Sequence, residues 1–390
     1  MPPTDICAPT RHAVYAQSFT ISAAAALTTY FSAPLLLSRG IPVESIGFVY
    51  TAAAFATIGL LVAAPRLFTK FGNYRSFLSV LATACAASIS FAISEHALGT
   101  VISFIAMTVS IASIGILLDI FLKGSMTGSG GEGATRAKFI SAANIAWVVF
   151  PFIAGMLSVA SAQTTPFLVA AGIFALALGL ALRSLSGVRR HTYRDLNVSG
   201  TLATIIKNPD LRGVFIAQFL LRIFYAAMVI YMPVYLTQVA KLSLGELGII
   251  TSIGMAAFLL FEFPVGFLGD TRYGEKEFML AGFAIIATSV ALIPFVPVGH
   301  IALWSMVFFM TRAGAALVEI TTESYFFKKT GADDADRVGA FRALGPASYI
   351  IGPLVGSVIV SVAPLSYVFI ALAGIMTLGV PATLLITDTR

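Results

Sequence analysis

The chain has 390 residues, of which 58% are hydrophobic and 11% charged, and its formal net charge is +6 at pH 7. A soluble domain of this length does not need so much apolar surface for its core, so the composition excludes a soluble globular protein. The only two cysteines, Cys7 and Cys85, indicate neither a disulfide framework nor a metal site.

Twelve apolar stretches, each about long enough to cross a bilayer, fill most of the chain. A membrane-spanning helix needs about 20 predominantly apolar residues. The strands of a membrane barrel would be about ten residues long and would alternate in polarity, and these stretches do neither. The predicted spans are Ala13–Leu37, Ile46–Ala64, Phe77–Ile93, Leu98–Leu122, Phe139–Ala160, Thr165–Leu182, Val214–Leu236, Leu247–Leu268, Phe278–Val296, Ile301–Phe327, Val338–Val362 and Leu365–Ile386. The sequence therefore predicts an all-α membrane protein with twelve transmembrane helices.

The basic residues of the loops fall almost entirely on one side of these spans. Twenty of the 24 Lys and Arg residues lie on the face that carries both termini. The opposite face has only Arg39 and Lys241, while Arg222 and Arg312 lie inside spans. Because loops rich in Lys and Arg stay in the cytoplasm, we expect both termini to be cytoplasmic. The net charge follows from these loops and does not indicate nucleic-acid binding. The first apolar run is too long for a signal peptide and is predicted as the first span.

The longest polar stretch divides the spans into two sets of six. It predicts an N-terminal bundle over residues 1–184, a cytoplasmic linker over 185–212 and a C-terminal bundle over 213–390. The two halves repeat each other weakly: Arg136–Gly155 parallels Arg337–Gly356, and GILLD ending at Asp119 parallels AALVE ending at Glu319. Parallel repeats of six helices are typical of one architecture of secondary transporters.

A few charged residues fall inside spans, where a charge costs at least ~2.5–3.5 kcal/mol and normally faces a cavity or a partner. Arg222 lies near the middle of the seventh span, and Arg312 near the middle of the tenth. Helical spacing places Arg312, Glu319 and Glu323 on one face of the tenth span. By the same spacing, Gln218, Arg222 and Tyr225 share a face of the seventh span.

Two loops resemble the signature of the major facilitator superfamily, G-x-x-x-D-R/K-x-G-R/K, which follows the second and eighth helices of that family. The copy after the eighth span keeps the pattern, with one extra residue, in Gly266, Asp270, Arg272, Gly274 and Lys276. The copy after the second span begins at Pro65 and has Thr69 in place of the acid and Asn73 in place of a basic residue. The resemblance covers the whole chain. It implies a bundle of two halves in a bacterial cytoplasmic (inner) membrane, a monomer, and no cofactor.

In that family the first, fourth, seventh and tenth helices line a central cavity, so the resemblance implies that the two polar faces border water. The predicted pathway for substrate and protons comprises Gln17, Asn144, Trp147, Gln218, Arg222, Tyr225, Arg312 and Glu319. In this interpretation Glu319 exchanges protons, because a low-dielectric cavity disfavours a carboxylate and a nearby arginine restores it. Either arginine could pair with Glu319 or hold an anionic substrate. A static ion pair is the alternative.

The resemblance also implies a cytoplasmic gate, because the signature loop latches that side when such a transporter opens outward. In related sugar porters, acids that end the fourth and tenth helices join this latch, together with basic residues that open the fifth and eleventh. The predicted gate comprises Asp119, Arg136, Glu262, Gly266, Asp270, Arg272, Gly274, Glu323, Arg337 and Arg342.

The predicted function is secondary active transport of a small organic solute, coupled to protons. A partial match to an antiporter run, from Pro151 to Gly155, favours efflux by proton antiport, although small residues and proline also serve helix packing. Two midplane arginines against one midplane acid favour the alternative, a proton symporter or exchanger of an organic anion. A receptor or scaffold without flux is the alternative of another class. An enzyme is not expected, because all four histidines lie in loops or at span ends.

Overall fold

The computed structural model describes residues 11–125, 132–185, 198–269, 274–330 and 335–387. Its helices are α1 (Arg11–Thr29), α2 (Ser32–Ser38), α3 (Val43–Phe71), α4 (Asn73–Ile93), α5 (Ala97–Ser125), α6 (Glu132–Ala160), α7 (Thr165–Ser184), α8 (Val198–Lys207), α9 (Pro209–Gln238), α10 (Leu244–Leu268), α11 (Glu275–Leu292), α12 (Ile301–Thr330), α13 (Ala335–Val362), α14 (Ser366–Thr377) and α15 (Gly379–Leu384). Within the described residues, twelve helical stretches are long and apolar enough to cross a membrane. The predicted all-α fold with twelve spans is confirmed.

The ends of the helices differ from the predicted spans where hydrogen bonds of a capping residue, rather than hydropathy, determine where a helix begins. The seventh span is α9, which begins at Pro209 because the Asn208 side chain accepts hydrogen bonds from the backbone N–H groups of Asp210 and Leu211. The first span breaks at residues 30–31 into α1 and α2, and the last is divided between α14 and α15. The polar stretch between the halves contains the short helix α8, which hydropathy did not predict.

The described helices belong to two compact units, and the first comprises residues Met1–Ile41 and Ala52–Arg194. In this unit α1 packs against α6 and α7, and α4 packs against α5 and α7. Its core contains aromatic pairs between helices, with Phe77 against Phe121 at 5.0 Å between ring centroids and Phe91 against Phe167 at 4.9 Å. These buried rings hold the packed helices together by apolar burial and edge-to-face contact.

The second unit comprises residues Pro42–Thr51 and Asp195–Arg390. Here α12 packs against α9, α10 and α11, while α9 also packs against α13. Most residues of α9 are buried, and so are most of those of α12. Phe326 of α12 stacks on Phe341 of α13 at 4.1 Å between centroids. Because α9 and α12 lie at the centre of this unit, their polar residues face protein rather than lipid.

The start of α3, from Val43 to Thr51, packs within the second unit. Thr51 Oγ1 donates to the carbonyl oxygen of Ile350 at 3.2 Å. Gly47 lies so close to α9 and α13 that a Cβ atom would come within 2.1 Å of the Pro353 carbonyl oxygen and 2.4 Å of the Tyr231 hydroxyl. Tyr231 itself donates to that carbonyl at 2.6 Å. Only glycine permits this approach of the helices.

Two glycines at corresponding places begin α4 and α11. Gly72 and Gly274 precede these helices with φ angles of 83° and 82°. This left-handed conformation is accessible to glycine without strain. Both are the glycine of a signature copy, so the degraded first copy and the better second copy share the conformation of this glycine.

Candidate functional site

The centre of the site is a contact between α9 and α12 in the second unit. Nη2 of Arg222 lies 3.1 Å from Oε1 of Glu319, and the hydroxyl of Tyr225 donates to Oε2 of Glu319 at 2.7 Å. The side chains of Arg222 and Glu319 keep 24% and 25% of their exposure. The ionised carboxylate therefore has a charged donor on one oxygen, a phenol on the other, and access for water.

Gln218, one turn before Arg222 on α9, completes the shell of the guanidinium group. With the amide oxygen facing Arg222, it accepts from Nη2 at 2.9 Å and from Nε at 3.1 Å, and the amide nitrogen donates to Thr322 Oγ1 at 3.0 Å. This orientation follows from the hydrogen-bond partners, because the opposite one turns the oxygen away from both donors. Gln218 is buried, so Arg222 is held on two sides.

A second carboxylate extends the network along α12. Oε1 of Glu323 lies 3.9 Å from Nη2 of Arg222 and 3.2 Å from Nη1 of Arg342 on α13. Glu319 and Glu323 are four residues apart, so they lie on one face. The charges thus alternate in a chain: Arg342, Glu323, Arg222 and Glu319. Neutralising either acid leaves an arginine with fewer acceptors, which is what a switchable contact requires.

Arg312 occupies a different environment on the same helix. It is 1% exposed, and its guanidinium carbon lies 4.8 Å from the ring centroid of Phe308, 5.4 Å from that of Phe224 and 5.7 Å from that of Tyr225. Each aromatic face stabilises a desolvated cation by about 2 kcal/mol or more. Tyr225 therefore contacts Arg312 through its ring and Glu319 through its hydroxyl.

The pathway residues predicted in the first unit have other surroundings. Gln17 on α1 is fully buried, and its amide nitrogen donates to the carbonyl oxygen of Ala177 on α7 at 2.9 Å. This hydrogen bond ties two helices of the unit together. Asn144 and Trp147 on α6 are half-buried. The structure therefore brings together the predicted residues of α9 and α12, and the lining role of these three stays a prediction.

The predicted gate residues are only partly described. Asp270 and Arg272 lie outside the described residues, as does the side chain of Arg136. The described members are Asp119, which is exposed, Glu262, Gly266 and Arg337, which are half-buried, Gly274, which is buried, and the paired Glu323 and Arg342. Glu323, which was predicted for the gate alone, contacts the pathway residue Arg222 as well as the gate residue Arg342. The gate itself stays a prediction.

Sequence reasoning missed a polar cluster at the ends of α9 and α12. Asp210 accepts from Lys329 Nζ at 2.8 Å and from the backbone N–H of Thr387 at 2.8 Å. Glu275 pairs with Lys328 and accepts from Ser324. Two adjacent lysines at the end of an apolar span were the available signal. This cluster connects α9, α11 and Thr387 to α12.

The comparison with known families agrees with this arrangement. The Major Facilitator Superfamily matches residues 133–338 and 214–390, which together span 133–390. The chain belongs to the major facilitator superfamily. Membership in this family makes it a transporter in a membrane, not an enzyme.

Two solved structures resemble this major facilitator protein over nearly its whole length. A mutant form of the nucleoside transporter NupG is 14% identical with a TM-score of 0.77, covering 96% of this chain and 98% of its own. NupG without that mutation is 12% identical with a TM-score of 0.75, covering 98% of each chain. At such identities the likeness shows the fold alone. No curated protein matches the chain significantly.

Proposed function

We propose that this transporter exports a small organic solute by antiport with protons. The contact of Glu319 with Arg222 and Tyr225 carries the proposal. A coupling acid needs partners that stabilise its ionised form and a route by which water can deliver a proton. Glu319 has both, since a quarter of its side chain remains exposed. The Pro151–Gly155 run in α6 adds support for antiport.

Antiport follows if the solute and the proton compete for this cluster. The solute binds while Glu319 is ionised and engages its accessible oxygens. Protonation of Glu319 then removes the acceptor from Arg222 and from the solute, which releases the solute on the acidic side. In this scheme a low pH weakens solute binding.

A second candidate is proton-coupled uptake or exchange of an organic anion. Arg222, Arg312 and Arg342 outnumber Glu319 and Glu323 around the site, and a planar guanidinium matches a carboxylate. Protonation of Glu319 would then free Arg222 for the anion. In this scheme a low pH strengthens solute binding.

The proposal also includes the orientation of the protein in the membrane and the motion of its two bundles. The distribution of basic residues supports cytoplasmic termini. We place the protein in a bacterial inner membrane as part of the proposal. We assign alternating access to rocking of the bundles 1–184 and 213–390, joined by the linker 185–212, within a monomer. The receptor alternative predicts binding without any flux.

Proteoliposomes with a pH dye inside distinguish these schemes by the sign of the response. External solute is added at equal pH on both sides, in turn a nucleoside, an organic anion and an organic cation. The nucleoside is included because the similar structures are nucleoside transporters. Antiport makes the lumen alkaline, and symport makes it acidic.

Two comparisons complete this experiment. Vesicles containing Glu319→Gln should lose the pH response, while Glu95→Gln, an exposed acid in a loop, should keep it. Uptake of labelled solute without any pH change would contradict proton coupling. Binding without uptake would favour the receptor.

A further inference from the structure

An apolar groove lies in the first unit between the end of α3, the start of α4 and the second half of α5. It encloses about 220 Å³ and is lined by Leu60, Leu61, Ala64, Leu67, Phe68, Phe71, Ser76, Ser79, Val80, Ser113 and Ile116. Within the described residues, α3 makes few close backbone contacts with other helices, which leaves this space between the helices. The helices around it are predicted spans, so an apolar chain from the bilayer can reach it.

Basic side chains lie at the end of the groove near the turn between α3 and α4. Nζ of Lys70 lies 5.4 Å from the ring centroid of Phe71, a lining residue. Arg75 directly precedes Ser76, another lining residue, and both basic side chains are exposed. The sequence from residue 45 to residue 94 contains no acidic residue. This end of the groove therefore presents positive charge with no acid of the same segment to neutralise it.

The positive charge is not neutralised because the first signature copy lacks its acidic residue. Thr69 stands where the second copy has Asp270, and its hydroxyl donates to the carbonyl oxygen of Pro65 at 2.7 Å. Two described charges after the second copy have partners within the protein, since Lys276 donates to the carbonyl oxygen of Ile386 and Glu275 pairs with Lys328. Among the described residues, Lys70 and Arg75 make no ion pair. Gly72 and Gly274 share a conformation, and among the described basic residues beside them Lys70 and Arg75 are available to an anion.

We propose that this groove binds one anionic phospholipid. Its phosphate lies on Lys70 and Arg75, and an acyl chain runs along the walls formed by Leu67, Phe68 and Phe71. The predicted cytoplasmic position of this turn places it at the leaflet surface whose negative potential attracts basic residues. A lipid in this position joins α3 to α4 and α5 where protein contacts are few.

The test is native mass spectrometry of the full chain with phosphatidylglycerol or phosphatidylcholine of identical acyl chains. We expect one retained phosphatidylglycerol and no comparable retention of phosphatidylcholine. Each basic residue near a lipid surface contributes about fivefold in affinity, so Lys70→Gln with Arg75→Gln should weaken retention by about 25-fold. Arg183→Gln removes an exposed basic residue of α7 in the same unit and should leave retention unchanged.

The acyl-chain part of the proposal has its own test. Ser79 lines the groove and is exposed, so Ser79→Phe fills the space without disturbing the core. This variant should lose the lipid while Lys70 and Arg75 remain. Glycerol phosphate, which has the headgroup without chains, should fail to displace the lipid. Equal retention of both lipids, equal loss with Arg183→Gln, or displacement by glycerol phosphate would overturn the proposal.

Discussion

Glu319→Gln removes the charge of the acid but keeps its shape, so it isolates the energy of the contact with Arg222. The two charged atoms lie 3.1 Å apart, and unit charges at about that distance attract by about 5 kcal/mol at an effective dielectric constant of about 20. Because 24% and 25% of the two side chains are exposed, water screens part of this attraction. We expect a coupling energy of about 1–3 kcal/mol.

A double-mutant cycle measures this coupling. Wild type, Arg222→Met, Glu319→Gln and the double variant are unfolded by sodium dodecyl sulfate in mixed micelles, and the free energies of unfolding are compared. Arg222→Met is expected to lower the free energy of unfolding more than Glu319→Gln does. The carboxylate of Glu319 then keeps the hydrogen bond from Tyr225 but loses its cation. The free energy of unfolding of the double variant should fall by less than the sum of the decreases in the two single variants.

A matched cycle uses Lys329→Met, which lies about 15 Å further along α12 by helical rise. Combined with Glu319→Gln it should be additive to about 0.5 kcal/mol. A coupling below about 0.5 kcal/mol between Arg222 and Glu319 would refute the reasoning, because the geometric contact would then carry no energy.

Two further predictions concern packing and the second arginine. Gly47→Ala should destabilise the protein by about 1–3 kcal/mol, because the added Cβ meets the Pro353 carbonyl oxygen at 2.1 Å, whereas Gly59→Ala in the same helix meets nothing within 4 Å. Melting temperatures in detergent check both, and equal melting of the two variants would contradict the close approach. Arg312→Lys should lower both stability and transport, because an ammonium group replaces the planar cation among Phe308, Phe224 and Tyr225. Wild-type transport by this variant would show that only the charge matters.

The sequence was sufficient for the number of spans and for the faces that carry the site. An apolar run of about 20 residues crosses a bilayer as a helix. The helical period then determines which polar residues share a face. The ends of helices depend on local hydrogen bonds instead. Asn208 caps α9, so this helix begins before Val214, where hydropathy predicts the start of the span. The helix α8 forms in the stretch that was predicted as a linker.

The partner of Glu319 could not be predicted from the sequence. Arg222 and Arg312 both lie near the middle of spans, and either could have reached the acid. The rotation of α9 against α12 decides between them, because it turns Arg222 to Glu319 and places Arg312 among aromatic rings. The same packing brings Glu323 between Arg222 and Arg342, which spacing along one helix does not reveal.

The most direct measurement compares two kinds of flux through Glu319→Gln in proteoliposomes. One is solute transport driven by a pH gradient, and the other is exchange of labelled for unlabelled solute at equal pH. If Glu319 is the coupling acid, driven transport falls to the background of protein-free vesicles. In the antiport scheme exchange weakens as well, because the neutral amide lacks the charge that the solute engages, but a higher solute concentration restores exchange and does not restore driven transport. Driven transport that persists unchanged would contradict the account, and loss of exchange at every solute concentration would make the contact with Arg222 structural.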